Sequence, residues 1–350
     1  MNKSFHIGNA LVGDGCEPFV IAEAGINHNG DISLAKKMIE VAAESGVDAV
    51  KFQTFRTEDF IFDHKITYTY QSQGKEVTES MFDMFKRTEF SREEWGEIKD
   101  CCDNCGITFL STPVTVHDLE MLIGLGTAAV KVGSDDFTNI PFIKEYASKG
   151  LPMLISCGMA DGDEIEQVVN ASTEINDDLC IFLCTSQYPT PPENANISKL
   201  EEMRRRFPDV VLGFSDHTQG STAAVLAVGY GAKVFEKHFT LSHDFPGPDH
   251  WFASDPDELR EWASSIKEAY EMVGSPDLVP TPAEREMRSL ARRSVVVVED
   301  VEEGEVFSVN NLGLRRPGTG IPPSSYESIL GRIAAKAIKA GALLEWDDLA

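Results

Sequence analysis

Eight short apolar, β-branched runs punctuate the chain: FVIAEAG (19–25), AVKFQT (49–54), TFLSTP (108–113), AVKVGS (129–134), MLISCG (153–158), CIFLCT (180–185), VVLGFSDH (210–217) and KVFEKHFT (233–240). None alternates cleanly between apolar and polar residues, so each is expected to be a strand buried on both faces. The stretches between them, such as DISLAKKMIEVAAESG and STAAVLAVGYG, repeat apolar residues at three- and four-residue spacing, as amphipathic helices do. Eight strand–helix units in succession predict a (β/α)₈ TIM barrel over residues 1–280. Only the second and third runs are widely separated. That interval, 56–90, contains the polar, Tyr-rich piece ITYTYQSQGKEVTES and is expected to form a lid or a loop of its own over the barrel mouth.

A second pattern begins after the Pro-marked stretch GSPDLVPTPAERE. Residues 281–291 are expected to be a linker, and 292–350 a small β-rich domain. Within it, VEEGEVFSVNNL (301–312) and IKAGALLEWDDL (338–349) align without a gap, matching Gly304 with Gly341 and Leu312 with Leu349. Two copies in so short a stretch imply a pseudo-symmetric module.

Composition narrows the field. With 350 residues and 42% hydrophobic content the chain can bury a sizeable core. Its 31 basic residues against 57 acidic ones give a formal charge of −26, which argues against nucleic acid or an anionic membrane as partner. An anionic substrate must then be caught by a local cluster of lysines. The N-terminus has no long apolar segment and no window approaches a membrane span, so a cytoplasmic location is expected. Seven cysteines, an odd number, fit reduced thiols, and the C-x-x-C of CCDNC has no second pair at zinc spacing.

In a barrel of this kind the chemistry sits at the C-terminal strand ends. Here those ends read Glu23; Lys51 and Gln53; Thr112; Lys131 and Ser134; Ser156; Thr185 and Ser186; Ser215, Asp216 and His217; Glu236, Lys237 and His238. Every end is polar. Lysines supply compact charge and hydroxyls directed donors, which suits a bound phosphate and carboxylate. His217 and His238 end neighbouring strands and could reach one metal ion while leaving positions open for water or substrate. Alternation places Ser215 with His217, and Glu236 with His238, on the same face. His243 and His250 fall in a loop and are not expected to be ligands.

The ordered motifs IAEAGINHNG, VKFQTF, LSTP, KVGSDD, CTSQYPTP, GFSDHT, EKHFT, GPDH and RRPGTG closely resemble the sialic acid (nonulosonic acid) synthases with a C-terminal antifreeze-like (SAF, β-clip) domain. The resemblance covers nearly the whole chain. It implies a condensation of phosphoenolpyruvate with an N-acetylated amino sugar, a divalent metal, typically Mn²⁺, and a domain-swapped homodimer. It implies a catalytic set of Glu23, Lys51, Lys131 and Glu236, metal ligands His217 and His238, and a phosphoenolpyruvate set that includes Thr112, Ser134, Ser156 and Ser215. Tyr188 and Asp249 match sugar-contacting positions, and Arg316 matches an arginine that reaches across the dimer toward the N-acetyl group. Asp136 stands where many relatives have Glu, and Ser186 where neuraminate-forming relatives often have Asn. The CTSQYP pattern is nearer to legionaminic or pseudaminic acid synthases. Two other readings stay open: a different phosphoenolpyruvate-using 3-deoxy-2-keto acid synthase, which the tail and RRPGTG speak against, and a non-catalytic glycan-binding or ice-binding protein.

Overall fold

The computed structural model describes residues 3–350 and resolves two compact units, one ending at Gly274 and the other spanning Ser275–Ala350. The first opens with a short antiparallel hairpin, β1 (Ser4–Ile7) and β2 (Ala10–Gly13). Barrel strands β3 (Phe19–Gly25) and β4 (Ala49–Thr54) follow. A second hairpin, β5 (Thr67–Ser72) and β6 (Lys75–Ser80), precedes β7 (Thr108–Pro113), β8 (Val130–Val132), β9 (Met153–Ser156), β10 (Leu179–Cys184), β11 (Val211–Asp216) and β12 (Val234–His238). The eight long-range strands form one parallel sheet in the order β7-β4-β3-β12-β11-β10-β9-β8. Its edge strands β7 and β8 lie side by side, so the sheet is nearly closed as a barrel.

The barrel has two apolar layers. Outside, the strands pack on helices through residues such as Val50, Phe52, Ile155 and Leu183, with Trp262 of the helix Pro256–Val273 among the largest fully buried side chains. Inside, Phe19, Ile21, Leu110, Leu154, Phe182 and Val234 fill the lower half of the barrel, and Phe5, Ile7 and Val12 of the first hairpin join them. Gly213 makes room in this layer, since a Cβ there would stand 2.7 Å from the Phe182 ring. The interior is therefore a packed core up to its polar layer. Several helices open on capping boxes that satisfy their first N–H groups: Ser91 with Glu94, Thr115 with Asp118, Asp161 with Glu164 and Asp255 with Glu258.

The 56–90 interval is more ordered than a plain loop. Its hairpin is tied to the 240–250 loop, where Gly247 N–H donates to Ser72 Oγ at 3.1 Å and Gln73 Nε2 donates to Asp244 O at 2.8 Å.

In the second unit, the stretch expected as a linker is a helix, Pro282–Ala291, opened by the Thr281–Glu284 capping box. Strands β13 (Ser294–Val297) and β14 (Leu312–Arg315) pair antiparallel. The internal repeat is real in three dimensions. Gly304 N–H donates to Ala334 O and Gly341 N–H to Val297 O, Phe307 N–H to Arg332 O and Leu344 N–H to Val295 O, each the counterpart of the other at one constant offset. Val301 and Ile338, which open the two copies, exchange both hydrogen bonds. Both Gly304 and Gly341 take positive φ (83° and 91°), the conformation that glycine enters without a Cβ clash. No described helix is long and apolar enough to cross a membrane.

Candidate active site

The strand ends of the barrel carry a layer of charge directly above the apolar interior. Register places Glu23 opposite both Lys51 and His238, and Ser215 opposite both Glu236 and Cys184. Lys51 Nζ lies 2.6 Å from Glu23 Oε2 and 3.6 Å from Glu236 Oε1, and Lys131 Nζ lies 3.9 Å from the same Glu236 oxygen. All four are buried. Lys51 also donates to Thr112 Oγ1 at 3.0 Å and Lys131 to Ser156 Oγ at 2.7 Å, while the Phe182 ring lies 5.4 Å beneath the Lys131 amine. Lysines on strands that are otherwise apolar can be held here because each has a carboxylate and a hydroxyl partner.

Some polar atoms of this layer nonetheless lack hydrogen-bond partners. Glu23 Oε2 has the Lys51 ammonium as its ion-pair partner, while Glu236 Oε2 and His238 Nδ1 are buried without a hydrogen bond. Asp249 Oδ2 approaches that His238 nitrogen to 3.3 Å, out of hydrogen-bonding alignment. Burial raises the Glu23 carboxyl above the ordinary range, with Lys51 working against it and Glu236 adding to it. Burial opposes ionisation of Glu236, yet Lys131 and then Lys51 outweigh it and hold that carboxyl low. Burial likewise pulls Lys131 below the usual ammonium range, Glu236 only partly offsetting it. For Lys51 burial acts in the same sense, but Glu23 and Glu236 prevail and the group rises. His238 is raised against its burial by Asp249 and the two glutamates.

His217 and His238 come together, their ring centroids 5.3 Å apart. His217 Nδ1 lies 2.7 Å from Thr185 O, an acceptor only, so this nitrogen carries a proton, and Nε2 lies 3.5 Å from Ser215 Oγ. A neutral imidazole oriented by a backbone carbonyl is the usual form of a histidine metal ligand. Among the described residues no third His, Cys, Asp or Glu atom closes on these two; the one such triad, His243 with Asp255 and Glu258, lies at the start of the helix Pro256–Val273, where the two carboxylates already serve its cap. A cation between His217 and His238 would thus keep open positions. The donor set fits such an ion.

Further around the mouth, Ser134 Oγ accepts from Gly158 N–H at 3.0 Å. A Cβ on Gly158 would stand 2.3 Å from Ser186 Oγ and 2.7 Å from Ser134 Oγ, so residue 158 must be glycine for the two hydroxyls and the amide to converge. The Tyr188 ring lies 4.2 Å from His217 at a tilt of 33°, and Phe252 lies 5.3 Å from Tyr188 and 5.5 Å from His238. Asp136 turns to Asn139, whose Nδ2 donates to it at 3.3 Å. Arg316 belongs to the second unit, where its Nε donates to Ala291 O at 2.9 Å. A cavity of about 710 Å³ opens beside this cluster, sharing Cys184 and Ser186 with it but bounded otherwise by residues such as Ile165, Lys199, Met203 and Arg206.

Gly158, Phe252 and the support of Asp249 were not evident from the chain alone. His250, next to Asp249, is buried and latched, with Nδ1 2.7 Å from Thr240 Oγ1 and Nε2 3.2 Å from Asn29 Nδ2. It positions the GPDH loop and is no ligand. Asp216 and Lys237, polar strand ends in the sequence, point outward and pair with each other at 3.1 Å beneath Trp262, whose Nε1 donates to Asp216 Oδ2 at 2.9 Å.

The profile described as NeuB family matches residues 38–277, and that of the SAF domain matches 292–350. The N,N'-diacetyllegionaminic acid synthase of Legionella pneumophila is 37% identical, over 95% of this chain and 94% of its own length. The human N-acetylneuraminate-9-phosphate synthase is 35% identical, over 90% of this chain and 88% of its own. Among solved structures, an N-acetylneuraminic acid (sialic acid) synthetase from Leptospira borgpetersenii superposes with a TM-score of 0.74 at 30% identity, covering 82% of this chain and 95% of that one.

Proposed function

The chain belongs to the NeuB family and carries a C-terminal SAF domain, and from that premise we propose that it condenses phosphoenolpyruvate with an N-acetylated amino sugar. The acceptor is N-acetylmannosamine or a 2,4-diacetamido-trideoxyhexose, and the products are a nine-carbon 2-keto acid and phosphate. One observation carries the reading above the others: two lysines and two glutamates are buried in one inward layer, with Glu236 Oε2 left without a partner. Charges held this way await a ligand, because a layer built only for stability would satisfy them.

In this reading Lys51 with Thr112, Lys131 with Ser156, and Ser134, Ser186 and Ser215 hold the phosphate and carboxylate of phosphoenolpyruvate. Fixed ammonium groups in a dry site stabilise that anion far better than they would in water. C3 of phosphoenolpyruvate bonds to the aldehyde carbon of the open-chain sugar as the aldehyde π pair moves to its oxygen, which is protonated to a hydroxyl, and positive charge develops at C2. The Glu23 carboxylate faces that charge and takes a proton from the water that adds there, a role helped by a pKa that burial has raised. The resulting tetrahedral centre expels phosphate by C–O cleavage and becomes the keto group. Glu236 keeps the two lysines charged and spaced. Tyr188 and Asp249 bound the sugar side of the mouth, with Asp136 at its edge. His217 and His238 would hold a divalent cation, Mn²⁺ in the first instance, which when bound polarises the sugar aldehyde as a Lewis acid.

A homodimer is part of the proposal. The helix Pro282–Ala291 has no buried residue, and Met287 and Leu290 stand exposed on one side of it, as do Leu278 and Val279 just before it. A second copy of the chain is the cover proposed for that apolar face, and it would bring Arg316 toward a partner's sugar.

Phosphate release from phosphoenolpyruvate tests the function directly. The purified protein with Mn²⁺ is offered N-acetylmannosamine, 2,4-diacetamido-2,4,6-trideoxymannose and its altrose isomer separately. Release with one of them is expected. Release with none, from folded and metal-loaded protein, would overturn the proposal.

A further inference from the structure

The second unit contains a cavity of about 640 Å³ whose wall is dominated by arginine. It lies between the helix Pro282–Ala291 and the turn after β14, and Arg285, Arg288, Arg292 and Arg293 line it together with Gly318 and Ser324. Arg285, Arg288 and Arg292 are spaced by three and four residues and so share one side of the helix and its cap. Met287 and Leu290 fall on the other side, so a second copy seated there would leave the arginines free.

The turn is built to come close. Gly318 N–H donates to Ser289 O at 2.8 Å, and a Cβ on residue 318 would stand 2.7 Å from both Arg288 O and Arg292 Cβ. Ser294 Oγ fixes the turn further, donating to Pro317 O at 2.7 Å and accepting from Gly320 N–H at 2.9 Å. Gly318 of RRPGTG therefore shapes this cavity.

Within the chain its charge is not neutralised. None of the four arginines has a carboxylate within ion-pair distance among the described residues. Arg285 and Arg293 reach only the carbonyls of Pro280 and Leu314, and Arg288 and Arg292 have no side-chain hydrogen bond. Like charges at three- and four-residue spacing on a helix repel. In a chain with 57 acidic residues, partners for them were plentiful. An external anion supplies what the chain withholds. The guanidinium fork matches phosphate oxygens two at a time, and several forks on one face favour a multiply charged group over a single carboxylate. All four arginines are exposed, so a small anion reaches them from solvent.

We propose that this cavity binds a small phosphate-bearing molecule through Arg288 and Arg292, with Arg285 and Arg293 flanking. The site uses second-unit residues alone.

Calorimetric titration of the full chain with inorganic phosphate and, separately, with adenosine monophosphate tests it. Wild type, Arg288→Gln/Arg292→Gln and Lys131→Met are compared, the last to remove phosphate binding at the barrel mouth. A class of binding that survives Lys131→Met, and whose Kd rises at least tenfold in the double arginine variant, is expected. Equal affinity for both probes would identify the phosphate group itself as the ligand, and tighter binding of adenosine monophosphate a phosphomonoester. Unchanged affinity in the arginine variant, folded by circular dichroism, would overturn the proposal. So would a wild type whose only phosphate site vanishes in Lys131→Met, or arginine variants that alter the sedimentation mass but not phosphate binding.

Discussion

Buried ionisable groups on β11 and β12 face opposite ways and behave in opposite ways: Asp216 and Lys237 outward, Glu236 inward. On the outward side Asp216 is fully satisfied: Oδ1 accepts from the Thr218 N–H at 2.9 Å and its hydroxyl at 2.7 Å, and Oδ2 from Lys237 and Trp262. On the inward side, one residue away, Glu236 faces two lysines at 3.6 and 3.9 Å and leaves Oε2 without any hydrogen bond. Both sets are charged and buried. Only completeness separates them. A closed network fixes structure, whereas an open one keeps atoms in reserve for a ligand. The outward pair also immediately precedes His217 and neighbours His238 in sequence, so it anchors the two strand ends from which the imidazoles project.

The contrast can be broken from the inside first. Lys131→Met should lower the rate of phosphate release at least about 10³-fold, the scale for losing a preorganised charge in a water-excluded site. The variant's unfolding midpoint should stay close to that of wild type, because an open network contributes little to stability. A large loss of stability with modest loss of rate would erase the distinction.

From the outside the effect should be on stability. Asp216→Ala strands a buried lysine and should cost about 3–5 kcal/mol in urea unfolding. Asp216→Leu/Lys237→Met, which removes both charges, should recover most of that. If the double variant is as unstable as the single, the pair is not the closed structural unit described here.

A smaller effect comes from two histidines that serve neither set. Burial holds His28, stacked on Phe90 at 4.2 Å, down to about 3, and His250 down to about 4. Both are neutral in the fold, while the unfolded chain binds their protons near the ordinary value of about 6.5. Their contribution is thus complete above that pH and is lost as pH falls through the window toward 4 and 3. Within it each should lower the unfolding free energy by at most about 1.4 kcal/mol per pH unit. Urea midpoints for wild type and His28→Phe between pH 7 and 5 should diverge in slope; parallel curves would remove His28 from the account.

How much of this the chain disclosed follows from the physics of each part. All eight barrel strands were legible because strands buried on both faces are continuous apolar runs, though their ends were not: AVKVGS shortens to Val130–Val132 as residues 134–136 turn into a helical loop. The first hairpin escaped notice because four-residue strands carry little pattern. The β5–β6 hairpin did so because its Tyr, Thr and Glu residues present no apolar face. The helix Pro282–Ala291 had a signal that went unused, the Thr281-Pro282-x-Glu284 capping box. Within the site, strand-end chemistry and period-two alternation separate Glu236 from Lys237, so the charged layer was largely readable. The latch between Asn29 and His250 was not, because it joins residues 221 positions apart and depends on how two loops meet.

In the proposed reaction water adds at C2 of phosphoenolpyruvate beside Glu23 and phosphate leaves with C–O cleavage. Phosphoenolpyruvate carrying ¹⁸O in its bridging ester oxygen, turned over with the accepted sugar, reads this out by mass spectrometry. The label should depart with inorganic phosphate, leaving the 2-keto acid unlabelled by the ester oxygen. Label retained in the keto acid would mean P–O cleavage, and the role given to Glu23 would be wrong.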